Sequence, residues 1–379
     1  MLKKVFYALV IVVVILITVG LFLPQLVHVE RSVSIARPPA TVFTVLNSYR
    51  SFAAWSPWAD RDPGAVYEFS GPDSGPGARL SWSGDPRLVG SGWQEITESQ
   101  PYSLVRMRLY FEQQGMARAY FQLDPTADGT RVTWGFDTDL LDGQGWLGGL
   151  VARYFGLFFD TWIGTDYEQG LARLKSYLEA LPPADFSTLD VEIVDARAVD
   201  ILYVDSEADL NSPDLTASLA AAYRDITAYM ADRNIARAAQ PMAITRVRDA
   251  GGFQVEAAIP VVLPKSGDAT EPNAPNADGS SAESPPAGPG AEQPPADGAE
   301  LAQPSRVRTG HSPAGRAVRA VHRGPYDRMG PTYEQLAAWM AAHGVAEGDV
   351  SWEQYISDPG ETAPDELITH IYFLIADDA

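Results

Sequence analysis

The distribution of apolar and polar positions divides the chain into stretches of different character. From Val5 to Leu23 the residues are almost all apolar, broken only by Tyr7 and Thr18. As a helix, at about 1.5 Å per residue, this run nearly spans a hydrocarbon layer of ~30 Å. Lys3 and Lys4 precede it, and the bulky LFLPQLVHVE follows in place of a small-x-small cleavage site. The pattern predicts an uncleaved anchor within residues 1–27. Its N-terminus lies on the cytoplasmic side and the remainder of the chain on the outer, periplasmic or extracellular side of the cytoplasmic membrane. The rival reading is a cleaved signal peptide.

Between residues 28 and 181 the period shifts to two. HVERSVSI alternates as a half-buried strand does, and Pro38-Pro39 opens a short helix with Val42, Phe43 and Leu46 on one face. Six further strand patterns follow: VYEFSG, ARLSWSG, GSGWQEITES, SLVRMRLYF, ARAYFQLDP and TRVTWGFDT. Gly, Pro and Asp punctuate them, which predicts an antiparallel meander. The stretch ends in a long helical pattern, FDTWIGTDYEQGLARLKSYLEAL, whose Tyr167, Leu171, Leu174 and Leu178 form one stripe. A curved sheet wrapped around one long helix leaves a cavity between them. Trp55, Trp58, Trp82, Trp93 and Trp134 are candidate lining residues, and for each one singly ordinary core and rim packing is the better explanation. Asp60 and Asp62 are candidate polar pocket groups, but they better suit a turn, since Pro63 follows.

The segments VERSVSIARPPATVFTVLNS, WSPWADRDP, FSGPDSGPGARLSW, GSGWQEITE and DYEQGLARLKSYLE, in this order, resemble the SRPBCC superfamily, the helix-grip fold of the START and polyketide cyclase/dehydrase type. The resemblance covers essentially all of 28–181. It implies an apolar pocket for a lipid-like or aromatic small molecule and does not fix one reaction.

Leu181-Pro182-Pro183 ends the helix, and a second patterned region spans 186–379. Strand patterns LDVEIVDA and VDILYVD precede a helix, LTASLAAAYRDITAYMADRNI, then strands PMAITRV and FQVEAAIPVVL. The order recurs as RAVRAVHRG, YEQLAAWMAAHGV, SWEQYISDP and ELITHIYFLI. AAYRDITAYMADRNI aligns with PTYEQLAAWMAAHGV, and PMAITRVRD with SWEQYISDP. This is a duplicated β-α-β-β unit, and a ligand of such a domain belongs at the junction of its halves. Residues 265–305, rich in Pro, Ala, Gly and acids, read as a disordered insert between the repeats.

In the second repeat, Glu353 and Tyr355 are two apart on a strand pattern and leave the same face, opposite Trp352 and Ile356. The second region resembles the GyrI-like effector-binding domain, also found C-terminal in AraC-type regulators. The residues that carry the resemblance are His322-Arg323-Gly324-Pro325-Tyr326, the helix with Tyr333 and Trp339, Glu353-Gln354-Tyr355, Asp358-Pro359 and Pro364-Asp365-Glu366-Leu367. It implies that the acidic residue of the E-x-Y strand faces an aromatic groove and recognises cationic or polar compounds. In some relatives a Glu/Tyr pair hydrolyses electrophilic small molecules, and Glu353 and Tyr355 stand at the matching positions. A desolvated carboxylate among aromatics selects a cation, or rises in pKa and shuttles a proton. A solvated strand residue is the bland alternative. Tyr223 and Tyr333 hold equivalent helix positions, as groove or as core residues.

The net charge of −21 disfavours non-specific nucleic-acid binding. No DNA-binding pattern is present where regulators of this type carry one, and nothing in the sequence identifies a protein partner. Cysteine is absent, which excludes disulfides, thiolate metal sites and a cysteine nucleophile. His28, His311, His343 and His370 lack metal-ligand spacing, and His322 reads as a structural residue at a strand end. No cofactor and no metal are expected. The sequence thus predicts an α+β chain: a transmembrane helix, a helix-grip domain and a duplicated β-α-β-β effector-binding domain. The functional expectation is a membrane-anchored protein that binds or senses a lipophilic or cationic small molecule through two pockets. Ligand contacts would come from Glu353, Tyr355, Tyr333, Trp339, Tyr223, Trp55 and Trp58. The alternative is a hydrolase acting through Glu353 and Tyr355.

Overall fold

A computed structural model describes residues 2–112, 114–142, 144–206, 214–248, 252–263 and 306–376. The expected insert at 265–305 lies outside the described residues. The chain divides into two compact units. One comprises Met1–Glu192, Ala320–Glu347 and Ile375–Ala379, and the other Ile193–Arg319 and Gly348–Leu374.

The apolar run forms helix α1 (Leu2–Phe22). It is almost wholly exposed, as no core helix would be, and it is long and apolar enough to cross a membrane. Strand β1 (Leu26–Ile35) follows, with the alternating burial its pattern predicts. Helix α2 (Pro39–Leu46) starts on its proline and buries Val42, Phe43 and Leu46. Two short helices, α3 (Phe52–Trp55) and α4 (Pro57–Arg61), come next; Ser56 caps α4 by accepting from the Trp58 N–H. All six further strand patterns form: β2 (Val66–Ser70), β3 (Arg79–Ser83), β4 (Ser91–Gln100), β5 (Leu104–Phe111), β6 (Gly115–Thr126) and β7 (Gly129–Asp139). They make an antiparallel seven-stranded sheet ordered β1-β7-β6-β5-β4-β3-β2.

Helix α5 (Trp146–Gly156) was not expected from the periodicity, and the long helix α6 (Phe159–Glu179) was. The stripe Tyr167, Leu171, Leu174 and Leu178 is buried against the sheet. Tyr167 stacks on Trp134 of β7 with ring centres 3.9 Å apart. Gly170 permits that approach, because a Cβ there would come within 2.7 Å of the Trp134 ring. Arg31 of β1 clamps α6 through Asp160 at 3.0 Å and Glu168 at 2.7 Å.

The later elements are β8 (Val191–Ala196), β9 (Asp200–Asp205), α7 (Leu215–Arg233), β10 (Ala236–Arg237), β11 (Met242–Arg248), β12 (Gly252–Val262), β13 (Arg308–His311), β14 (Gly315–Arg323), α8 (Gly330–His343), β15 (Glu347–Tyr355) and β16 (Ile368–Ile375). The second sheet runs β13-β9-β12-β11-β15-β16-β14-β8, with β10 beside β12. Both repeats therefore appear in the order β-α-β-β: β9-α7-β11-β12 and β14-α8-β15-β16.

Within the sheet the repeats are mirrored about the antiparallel β11–β15 pair. Ala243 and Glu353, equivalent by sequence, are direct cross-strand partners, so the pseudo-twofold axis passes between them. The two repeat helices also end alike. Asn234 and Gly344 both adopt left-handed φ, at 53° and 64°. The next residue in each bonds back, Ile235 N–H to Met230 O and Val345 N–H to Met340 O, both at 2.9 Å, as in a Schellman cap. Helix α7 covers one face of its sheet through Ala222 and Ile226 against Leu202, Val204 and Ala257. Trp352, Ile244 and Ile201 pack on the opposite face. Helix α8 packs on α2: Ala338 and Ala342 meet Ala40 and Phe186, and Gln335 donates to the Asp185 carbonyl at 2.8 Å.

Candidate functional site

The concave face of the first sheet and helices α5 and α6 enclose a cavity of about 890 Å³. Its apolar wall includes Phe52, Trp58, Leu109, Ala117, Phe136 and Phe159. The register builds this wall. Gln94 on β4 lies between Leu80 and Leu109, and Leu109 pairs with Ala117, so these side chains share one face. Gln94 is the polar exception. It is 5% exposed, lines the cavity, and its amide nitrogen has no hydrogen-bond partner among the described residues. An amide buried in this state costs about 1–3 kcal/mol, which a ligand oxygen placed against it would offset.

Trp58 is fixed by its indole N–H, which donates to Asp166 of α6 at 3.2 Å. Arg61 pairs with the same carboxylate, and that bond raises the guanidinium pKa above its ordinary value. Tyr67 faces the cavity; burial, with Asp62 nearby, pushes its phenol up. Asp62 itself is buried and holds a turn, accepting from the Asp85 N–H at 2.7 Å and the Gly64 N–H at 3.2 Å. Asp60 pairs with Arg173.

The aromatic candidates separate by position. Trp58 and Trp82 line the cavity. Trp55 and Trp134 are buried in the core cluster with Phe121. Trp93 stacks on Tyr110 and lies under the Arg79 guanidinium at 4.0 Å.

In the second unit, Glu353 and Tyr355 leave one face of β15, and the tyrosine hydroxyl donates to Glu353 Oε2 at 2.8 Å. Both side chains are half-buried. Along the row of Glu353 stand Ala243 and Ala257, which add no polar group. Tyr223 of α7 meets the Tyr355 ring edge-on at 6.5 Å and donates to the Met242 carbonyl at 2.8 Å. Trp352, on the opposite face, stacks on Tyr372 at 4.6 Å. The structure thus brings Glu353, Tyr355 and Tyr223 together. Trp339 stacks on His343 at 3.9 Å and packs with the α2–α8 cluster. Tyr333, six residues earlier on α8, is half-buried. His322 is buried and held by Thr332 Oγ1 at 2.8 Å, as a structural histidine is.

Sequence reasoning passed over Gln94 and α5. Gln94 sits within GSGWQEITES, where strict alternation puts it on the face of Ile96 and Gly92; a polar residue in an apolar register was the available signal. The signal for α5 was the run WLGGLVARYFGLFF, apolar throughout except for Arg153.

Residues 27–179 match the family model for polyketide cyclase/dehydrase and lipid transport, and residues 286–376 match the GyrI-like small molecule binding domain. The chain carries these two segments in that order, behind a helix that is a candidate membrane span. Both families bind small molecules. Similar solved structures include a protein from Chromobacterium violaceum, 16% identical, covering 41% of this chain and 99% of that one at a TM-score of 0.30. Others are the C-terminal domain of EcmrR (14% identical, 50% and 99% covered, TM-score 0.35) and a hydrolase from Listeria innocua (14% identical, 49% and 91% covered, TM-score 0.30). No curated protein matches the chain.

Proposed function

We propose that this is a membrane-anchored binding protein whose first unit takes up a lipophilic molecule bearing a hydrogen-bond acceptor. Its second segment senses a lipophilic or cationic compound at Glu353 and Tyr355. α1 holds both units on the outer side of the cytoplasmic membrane, because Lys3 and Lys4 stay inside. The observation that carries the reading is the cavity of about 890 Å³, apolar apart from a few groups, with the Gln94 amide nitrogen, unpartnered among the described residues, in its wall. A volume of this size suits a small-molecule site, and one placed donor orients what enters.

The test uses the full chain in phospholipid nanodiscs titrated with the fluorescent fatty acid cis-parinaric acid. A saturable rise in fluorescence that Leu109→Trp abolishes is expected, because the larger ring fills the cavity. Signal no greater than that of empty nanodiscs overturns the reading. Topology is checked by a C-terminal alkaline phosphatase fusion, which is active only outside the cytoplasm; an inactive fusion overturns the outer placement.

A second reading rests on the Tyr355–Glu353 hydrogen bond, which orients a phenol donor beside a carboxylate base. On this reading the second unit hydrolyses an electrophilic compound. Turnover of an aryl epoxide by the wild-type chain, lost in Glu353→Gln, is the expected result. A wild-type chain that leaves the epoxide intact sinks the idea.

A further inference from the structure

We propose that α5 and the start of α6 lie in the outer headgroup layer of the membrane, and that the cavity opens into the bilayer there. A ligand dissolved in lipid then enters directly, without first passing into water. This rests on the anchored binding reading above and adds the route.

The first observation is the join between α5 and α1. Tyr154 donates its hydroxyl to the Leu16 carbonyl at 2.5 Å. Arg153 donates to the carbonyls of Leu21 at 2.7 Å and Gly20 at 3.3 Å. Those are carbonyls at the end of a helix, which a nonpolar layer cannot satisfy. Gly20 brings the helices close, since a Cβ there would fall 2.5 Å from Leu150 and 2.8 Å from Tyr154. Leu16 precedes the end of α1 at Phe22 by about 9 Å at 1.5 Å per residue. An interfacial helix buries its apolar face by about 5–10 Å, so the join sets α5 at that depth.

The second observation is the face that α5 presents. Trp146 is 74% exposed, and Leu147, Val151, Phe155, Leu157, Phe158 and Trp162 are each more than half exposed. Leu147, Val151 and Phe155 fall at four-residue spacing on one face. The single charge of α5, Arg153, is turned to α1. A water-facing surface does not gather so many large apolar groups, and tryptophan favours the membrane interface.

The third observation joins this face to the cavity. Leu147, Val151, Phe155 and Trp162 also line it. The residues that would meet acyl chains therefore form the rim of the site.

The absence of cysteine permits single-site labelling of the full chain. Phe158→Cys carries a nitroxide in phosphatidylcholine–phosphatidylglycerol vesicles, with Asp128→Cys as reference. Asp128 lies beyond the Ile35–Thr130 end of the β1–β7 pair, whereas α1 joins at the Leu26–Asp139 end, about 30 Å away at ~3.3 Å per residue. The Phe158 label should collide with oxygen in preference to a nickel chelate, and the Asp128 label the reverse. A water-like Phe158 label overturns the proposal. So does spin–spin broadening that disappears on dilution with unlabelled chain, since a second copy then covers the face.

Entry is read with Ala117→Cys in the cavity wall. N-hexadecylmaleimide delivered in the vesicles should alkylate it, and Leu157→Asp with Phe158→Asp should slow that reaction at least about tenfold. Neither of these two residues lines the cavity. The rate with water-borne N-ethylmaleimide should not change, which shows the variant folded. An embedded label with an unchanged hexadecyl rate overturns the lateral route while leaving the binding reading intact. No hexadecyl reaction in any chain that still reacts with N-ethylmaleimide removes the binding reading, and the route with it.

Discussion

Gln94 and Glu353 are both polar residues set in apolar rows of antiparallel sheets, and their surroundings differ. Gln94 is buried in the wall of a cavity, and its amide nitrogen has no hydrogen-bond partner among the described residues. Glu353 is half-buried, beside alanines, and already accepts from Tyr355. The first sheet is held off its helix by aromatic stacking of Trp134 on Tyr167, which fixes the grip and leaves space beyond it. The second sheet meets α7 through a continuous apolar cluster, Ala222 and Ile226 against Leu202, Val204 and Ala257, with Tyr223 packed beside it. An open donor in a cavity is available to any acceptor atom that enters. A carboxylate with an internal donor is oriented, and a ligand there must share or displace the phenol.

The largest expected effect is on the grip that creates this difference. Trp134→Ala should cost about 3–5 kcal/mol in urea unfolding of the full chain, as deletion of a large buried aromatic does. Hydrogen exchange should show the loss confined to the first unit. Exchange that accelerates equally in β11 and β15 breaks the comparison, because the two sheets would then unfold as one.

Gln94→Leu comes next. Removing a buried amide whose nitrogen has no partner among the described residues should raise the stability of the ligand-free chain by about 1–2 kcal/mol while weakening cis-parinaric acid binding roughly tenfold. Lower stability in thermal melts would show that the amide has a partner. Tyr355→Phe removes a half-exposed bond to a carboxylate and should cost about 1 kcal/mol, measured by denaturant midpoint. No change in midpoint would show that the bond adds no net stability.

The smallest effects are on the pH profile, and they have opposite signs. Burial lowers the pKa of His343 below its ordinary 6.5, with the Trp339 carbonyl acting against it. The unfolded chain then binds the proton more readily. The contribution of His343 is present above pH 6.5 and is lost as pH falls through its lower folded value. His28 is raised, chiefly by its 2.8 Å bond to Asp137. Its contribution is full below pH 6.5 and is lost as pH rises through the folded value. Melting of His343→Gln should flatten the acid side of the profile, and His28→Gln the neutral side. A profile that either variant leaves unaltered discounts that histidine.

Much of this molecule is set by local sequence. Alternation and turn residues mark all seven strands of the first sheet, and the stripe at Tyr167, Leu171, Leu174 and Leu178 marks its helix. The apolar run marks α1, and self-similarity marks the two β-α-β-β repeats, down to their matching left-handed caps. The two-residue spacing of Glu353 and Tyr355 puts them on one face, with Trp352 on the other. These features follow from periods of 2 and 3.6, which any short window reveals.

Other properties arise only when distant segments meet. That Trp58 lines the cavity while Trp55, three residues earlier, is sealed in the core depends on where α6 lies. The packing of α8 on α2 depends on small residues far apart in the chain. The axis that makes Glu353 the partner of Ala243 exists only once the repeats pair. The unpartnered state of Gln94 is a property of the volume before it. A sequence window records which face a side chain leaves from; what stands opposite that face, or whether anything does, is decided by packing between segments that no local period links.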